Sequence, residues 1–186
     1  MLLNKYITEM AKKIEINTSI DCLIEVSKGS NVKYEFDKKK NMLRCDRILS
    51  TSMSYPGNYG YIENTLSEDN DPIDVLLVCD FPLQPLSLIT IKIIGVLMMT
   101  DEKGTDEKLI AVPTADVDPD SEDINNLDDL PKSLLNKIKH FFEHYKDTEK
   151  NKWVKVEDFK NADVAIQKYK ESIVRYQRQK IVNLCK

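Results

Sequence analysis

No long run of basic residues occurs in these 186 residues, and the formal net charge is −4. A nucleic acid or an anionic membrane is therefore a poor partner. The four cysteines, Cys22, Cys45, Cys79 and Cys185, form no CxxC pair and no Cys/His zinc spacing. A chain of this length can build a core without disulfides, so free thiols in a reducing compartment are expected, three of them inside apolar segments. Nor is any apolar run long enough to span a bilayer: Leu88 to Met99 is the most apolar stretch, and it carries Lys92 and Gly95. The N-terminal MLLNKYITEMAKKIEI has no uninterrupted apolar h-region and no small-residue cleavage site, which makes a cytoplasmic location the expectation. Internal repeats and low-complexity linkers are also missing, so residues 1–186 are expected to form a single domain.

What is present has the balance of a globular chain, 41% hydrophobic and 31% charged residues, and excludes wholesale disorder. The first third alternates as strands do. Ile20, Cys22, Ile24 and Val26 share one face and leave Glu25 on the other; in Val32 to Phe36, Lys33 and Glu35 share the polar face. Asp74 to Cys79 and Leu88 to Met99 read as buried strands, separated by dense turn signals at Tyr55-Pro56-Gly57-Asn58, Asp69-Asn70-Asp71-Pro72, Phe81-Pro82 and Gly104. The last third changes period. Leu134, Ile138, Phe141 and Tyr145 repeat at helical spacing behind Pro131, and Ala162, Ile166, Tyr169, Ile173 and Tyr176 do so behind Asn161, a candidate N-cap. Trp153 to Val156 between them reads as a short strand. Strands first and helices last point to an α+β fold, most simply a small β-barrel with helices packed on the outside.

The chemistry concentrates in Asp69-Asn70-Asp71-Pro72-Ile73-Asp74, with Glu63 and Glu68 just upstream. Two carboxylates about 4 Å apart repel by about 4 kcal/mol at an effective dielectric of about 20. Hard divalent cations with oxygen ligands, Mg²⁺ or Ca²⁺, relieve that repulsion. An acidic surface turn is the plainer account of an average DxD; the buried strand that follows here favours a site. An EF-hand does not fit: counted from Asp69, the fourth position is Pro72, the sixth is Asp74 rather than Gly, and the twelfth is Asp80. A second acidic turn, Asp101 to Lys108, has Gly104 to make the bend and includes Asp106; beside the first it can close a multi-metal site. The third acidic stretch, Asp116 to Asp129, reads as a solvated loop. Lys33, Arg47, Lys108 and Lys146 are candidates for phosphate oxygens, and Tyr55 and Tyr59, in the Pro-Gly-Asn turn, can direct phenols at an anion. Singly, each is an ordinary surface charge or packing aromatic; only the set carries meaning.

The set resembles the soluble family I inorganic pyrophosphatases in their bacterial form. Asp69-Asn-Asp-Pro-Ile-Asp-Val75 matches the signature D-x-D-P-x-D-V. The match extends through Val32 to Phe36, Asp46-Arg47, Ser54 to Tyr61, Pro82 to Pro85, Gly95 to Glu102, Asp106 to Lys108, His140 to Lys146 and Trp153 to Val156. One departure is Asn70 in place of the commoner Gly, tolerable because Asn also adopts unusual backbone angles. The resemblance implies a five-stranded OB-like barrel, Mg²⁺ dependence with several ions per subunit, pyrophosphate as substrate and a homohexamer. It implies roles as well: Asp69, Asp74 and Asp106 as ligands of the tight metals, Asp101 and Glu25 for further metals, and Asp71 as general base with Glu35 in the same acidic shell. Lys33, Arg47, Tyr145 and Lys146 resemble the phosphate-binding set, while Tyr55, Tyr59 and Lys108 resemble orienting groups, Tyr59 standing beside Asp71 in the catalytic pair.

The expected function is hydrolysis of pyrophosphate to two orthophosphates by direct in-line attack of Mg²⁺-activated water, with no covalent intermediate. Seven carboxylates against four cations leave the proposed site at −3 before metals, so an anionic substrate needs the cations in order to bind. No Ser/His or Cys/His pair lies near these turns to act as a nucleophilic device. His140 and His144, four apart on one helix, lack a third ligand and an HExxH glutamate, and a structural role at a subunit contact is expected for them. The rivals are another metal phosphohydrolase, a Ca²⁺-buffering module and a nucleic-acid-binding OB module. The last of these is disfavoured by an acidic face where a basic groove is needed.

Overall fold

The computed structural model describes residues 2–16, 19–102 and 104–184. Cys185, named above, and Lys103, within the second acidic turn, lie outside them. The order of elements is α1 (Leu2–Ala11), β1 (Ile20–Val26), β2 (Val32–Asp37), β3 (Met42–Ile48), β4 (Asn58–Tyr61), β5 (Asp74–Leu77), β6 (Leu88–Asp101), β7 (Gly104–Thr105), β8 (Lys108–Pro113), α2 (Lys132–His144), β9 (Val154–Asn161) and α3 (Ala162–Leu184).

Five strands close on themselves. β1 pairs with β4, β4 with β5, β5 with β8, β8 with β6, and β6 returns to β1; only the β5–β8 contact is parallel. This is the expected five-stranded ring, and with its flanking helices the fold is OB-like α+β. β6 is the hub, because its 14 residues are long enough to meet β1 and β8 and also to carry β7 and β9. A closed ring leaves none of these five strands as a bare edge. Gly60 is needed where β4 crosses β1: a Cβ there would run into the Leu23 carbonyl.

The alternation of side chains sorts two cores. Val75, Leu77, Leu109 and Ala111 share one face with Cys22 and Ile24. Leu76, Ile110 and Val112 face the other way and meet Ile138, Phe141 and Phe142 of α2. Burying each such side chain is worth about 2 kcal/mol. Asn161 caps α3 as expected, its Oδ1 accepting from the Val164 N–H at 3.2 Å. Helices are not confined to the end of the chain, however, since α1 comes first and packs Ile7 and Ala11 on Val174 of α3. β9 also runs on to Asn161, past the expected Val156, because it adds along β6.

β2 and β3 form a separate two-stranded hairpin. Its link to the ring is polar: the buried Glu25 of β1 accepts from the Phe36 N–H at 2.6 Å. Cys22 is buried, Cys79 partly so and Cys45 exposed, and all three are free thiols. In the third acidic stretch Leu127 is buried, as is Leu130 just beyond it, while Asp129 accepts from the N–H groups of Asn125 and Asn126 at 2.9 and 2.8 Å. Among the described residues no helix is long and apolar enough to cross a membrane.

Candidate active site

The parallel register of β5 and β8 sets Asp74 opposite Lys108. Both side chains therefore rise at the same end of the ring, and the Lys108 Nζ donates to Asp74 Oδ2 at 2.5 Å and also to Asp106 Oδ1. Burial opposes the charge on Lys108, but Asp74 and then Asp106 more than offset it, holding the ammonium well above its usual pKa. Lys146 repeats the arrangement at the end of β6, with its buried Nζ 2.7 Å from the buried Asp101. The loop before β5 brings the first acidic turn to the same place. Asn70 sits at φ 71°, the left-handed conformation that Asn in place of Gly was expected to tolerate, and the Asp71 N–H donates to Asp69 Oδ1 at 3.1 Å. Burial first, and then the charge of Asp71, raise the Asp69 carboxyl above its ordinary value. Gly104, at φ 126°, makes the bend of the second turn as expected.

The hairpin supplies the opposite wall. Lys33 and Arg47 are register partners on β2 and β3. The Lys33 Nζ lies 2.6 Å from Glu35 and 3.7 Å from Asp46, and Arg47 Nη1 donates to Glu149 Oε2 at 2.7 Å. Burial lifts the Glu25 carboxyl to about 7 against the pull of the Phe36 N–H, with the charge of Asp74 adding to the rise. Three phenols pack beneath. Tyr55, Tyr59 and Tyr145 are buried, and burial drives their hydroxyls above the usual range. Lys108 lies 5.8 Å from the Tyr59 ring and Lys146 5.5 Å from that of Tyr145, within cation–π range. Tyr59 stands on β4 rather than in the turn where the sequence put it, because Asn58 already begins the ladder with Leu77.

All fourteen residues singled out from the sequence line one cavity of about 510 Å³. Asp46, Glu102, Lys38 and Lys152 also line it and were missed; each is an unremarkable charge in the sequence, and only the fold turns it inward. Glu149, which bridges Arg47 and Lys152 at 2.7 and 2.8 Å, was missed for the same reason. With the additions the lining holds nine carboxylates and six cations, so the balance stays at −3. Among the described residues no His or Cys lines it, so its donors are hard oxygens suited to Mg²⁺. Among the described residues no three carboxylates converge closely enough to grip an ion, since Lys108 reaches both Asp74 and Asp106. The rings of His140 and His144 pack in a tilted arrangement 4.6 Å apart on α2 and are not part of the cavity lining.

A closed small barrel whose end gathers carboxylates, lysines, an arginine and buried phenols is suited to a small, highly charged anion handled with hard cations. Comparisons with known proteins name that anion. The inorganic pyrophosphatase family model matches residues 22–177. The inorganic pyrophosphatase of Campylobacter jejuni is 46% identical over 162 residues, 87% of this chain and 94% of that one. That of Rickettsia typhi is 51% identical over 164 residues, covering 88% and 92%. Among solved structures, the Helicobacter pylori enzyme superposes with a TM-score of 0.84 at 47% identity over 89% of this chain and 99% of that one. The Thermus thermophilus enzyme gives 0.83 at 37% identity over 88% and 94%. The chain belongs to the inorganic pyrophosphatase family, of the family I bacterial type. It is an inorganic diphosphatase, a hydrolase of the phosphoanhydride bond.

Proposed function

We propose that the chain hydrolyses pyrophosphate to two orthophosphates by direct in-line attack of water, with Mg²⁺ as its cofactor and the acidic cavity as its active site. The observation that carries this reading is the convergence of all fourteen sequence candidates on one cavity of about 510 Å³. Asp69, Asp74 and Asp106 would hold the tighter ions, in place of the Lys108 contacts that Asp74 and Asp106 make here, and Asp101 and Glu25 would hold further ones. When bound, Mg²⁺ acidifies the attacking water and offsets the charge of both the cavity and the pyrophosphate. Asp71, exposed at the tip of its loop, is the general base that takes the water's proton. Lys33, Arg47, Tyr145 and Lys146 hold phosphate oxygens, the guanidinium as a fork and the ammonium groups as point charges, and they stabilise charge on the leaving phosphate. Tyr59, Tyr55 and Lys108 orient this set from below, and Glu35 keeps Lys33 in place from 2.6 Å away.

The remaining features of the reading are a single working domain over residues 1–186, a homohexameric assembly, a cytoplasmic location, and neither nucleic acid nor membrane as partner. The test is phosphate release from pyrophosphate by purified protein, with Mg²⁺ and then with EDTA. Rapid release that EDTA abolishes, and that ATP does not support, is the expected result. No release from folded protein would overturn the reading and leave metal buffering as the cavity's role.

A further inference from the structure

α3 contributes no residue to the lining of the cavity, yet one stripe of it reaches both acidic turns. The Leu66 N–H donates to the Ser172 carbonyl at 3.0 Å, which ties the β4–β5 loop to the helix. One turn on, Arg175 Nη2 donates to Glu68 Oε1 at 3.2 Å, and Glu68 immediately precedes Asp69. The same Nη2 lies 3.5 Å from Glu171, a buried residue that also accepts from Gln167 at 3.1 Å and from the Thr8 hydroxyl of α1 at 3.0 Å. At the other end of the stripe Lys168 Nζ is 3.9 Å from Glu107. Glu107 sits between Asp106 and Lys108. Strand alternation sends those two into the cavity and Glu107 the other way, where its side chain is wholly buried. Neither of its oxygens has a hydrogen bond among the described residues, which leaves Lys168 as its nearby countercharge.

Residues 168, 171, 172 and 175 recur at helical spacing, so they form one ridge of a rigid rod. That rod grips the Asp69–Asp71 loop at one point and the Asp106–Lys108 segment at another. Lys108 joins the two sets of carboxylates from inside the cavity, and the helix braces both from behind.

We propose that Arg175 is a positioning residue for divalent-cation binding: through Glu68 it holds the loop bearing Asp69 and Asp71 at its distance from Asp106, whose segment the same helix anchors through Lys168 and Glu107. The inference rests on reading the cavity as a Mg²⁺ site. Arg175 touches neither the cavity nor anything bound in it, so its effect belongs in the metal requirement rather than in the chemical step.

The experiment is calorimetric titration of metal-stripped protein with Mg²⁺, for wild type, Arg175→Met, Arg175→Lys, Glu68→Gln, the Arg175→Met/Glu68→Gln pair, and Asp74→Asn as reference. Thermal melting without metal, and kcat and KM at saturating Mg²⁺, accompany it. Arg175→Met is expected to weaken Mg²⁺ binding about 10-fold, the size typical of a lost outer-shell support, with Arg175→Lys recovering part of it. The pair should bind no more weakly than Arg175→Met alone, because both substitutions cut one link. At saturating Mg²⁺, kcat should stay within about twofold of wild type, since the chemical groups are untouched. Unchanged Mg²⁺ binding in Arg175→Met, with only a lowered melting temperature, would reduce Arg175 to a packing role and overturn the proposal. Losses that add in the pair would also overturn it, by removing Glu68 from the path. Should Arg175→Met not fold, Arg175→Lys and Glu68→Gln carry the same comparison. If Asp74→Asn also leaves Mg²⁺ binding intact, it is the metal site itself that fails, and the proposal goes with it.

Discussion

Asp71 and Asp69 sit two residues apart and meet different surroundings. Asp69 is half-buried and its carboxyl is raised, first by burial and then by its neighbour's charge. Asp71 is exposed, with its N–H spent on Asp69. Those surroundings agree with the proposed roles, Asp69 as cation ligand and Asp71 as base. Asp71→Asn keeps the shape and removes the base, so turnover should fall by about 100-fold or more while Mg²⁺ binding stays within about twofold. Steady-state phosphate release and calorimetry on the same preparation check both halves, and near-normal turnover would take Asp71 out of the base role. Lys108 shows the complementary point. As a fully buried ammonium it persists only because Asp74 and Asp106 flank it.

At the scale of elements, the site depends on strands staying in register. The β5–β8 pairing sets Asp74 against Lys108, and a one-residue slip would turn one of them away. Gly60 guards the adjoining β1–β4 contact, where a Cβ would collide with the Leu23 carbonyl. Gly60→Ala should cost on the order of 3 kcal/mol, the upper range for forced overpacking, read as a lowered urea midpoint at unchanged slope. An unchanged midpoint would mean that the strands separate without penalty. The short 3₁₀ turn Leu127–Asp129 has a simpler dependence, on pH. The N–H groups of Asn125 and Asn126 hold the Asp129 carboxyl below its usual 3.8. Because its folded-state value is depressed, its contribution is complete above about pH 4 and fades as pH falls through that value. Asp129→Asn should therefore melt lower than wild type at neutral pH, with the gap closing under acid; a gap independent of pH would remove the charge from the explanation.

Over the whole molecule, the barrel end carries a charge of −3 before any ion binds, inside a chain whose total is only −4. Nearly all of the net charge is concentrated at the proposed substrate entrance, where a free pyrophosphate would be repelled until cations arrive. The exposed His140 and His144, side by side on α2 with His144 bonded to Asp147 at 2.8 Å, lie outside the cavity lining. A role at a subunit contact suits them. Sedimentation should find a hexamer for wild type and smaller species for the His140→Ala/His144→Ala pair. A pair that sediments as wild type would return both residues to ordinary surface chemistry.

Much of this was legible in the residues themselves. Period-two and period-3.6 patterns marked β1, β2, α2 and α3, because each buries one face and must repeat accordingly, and continuous apolar runs marked β5 and β6, because both faces of those strands are covered. The signature from Asp69 to Asp74 pointed to hard cations, because closely spaced carboxylates beside a buried strand repel one another. Tertiary structure alone decided the rest. α1 was missed because its apolar face has meaning only against Val174 of α3. Tyr59 reads as a turn residue until β5 supplies a partner, and Asp46, Glu102 and Lys152 are plain surface charges until the hairpin and β9 fold over the barrel end. Closure of the ring, the parallel step from β5 to β8, and the support of both acidic turns by Lys168 and Arg175 are long-range relations. Local sequence determines which groups are available and which way they alternate; only chain packing sets the distances between them, and in this protein the chemistry depends on those distances.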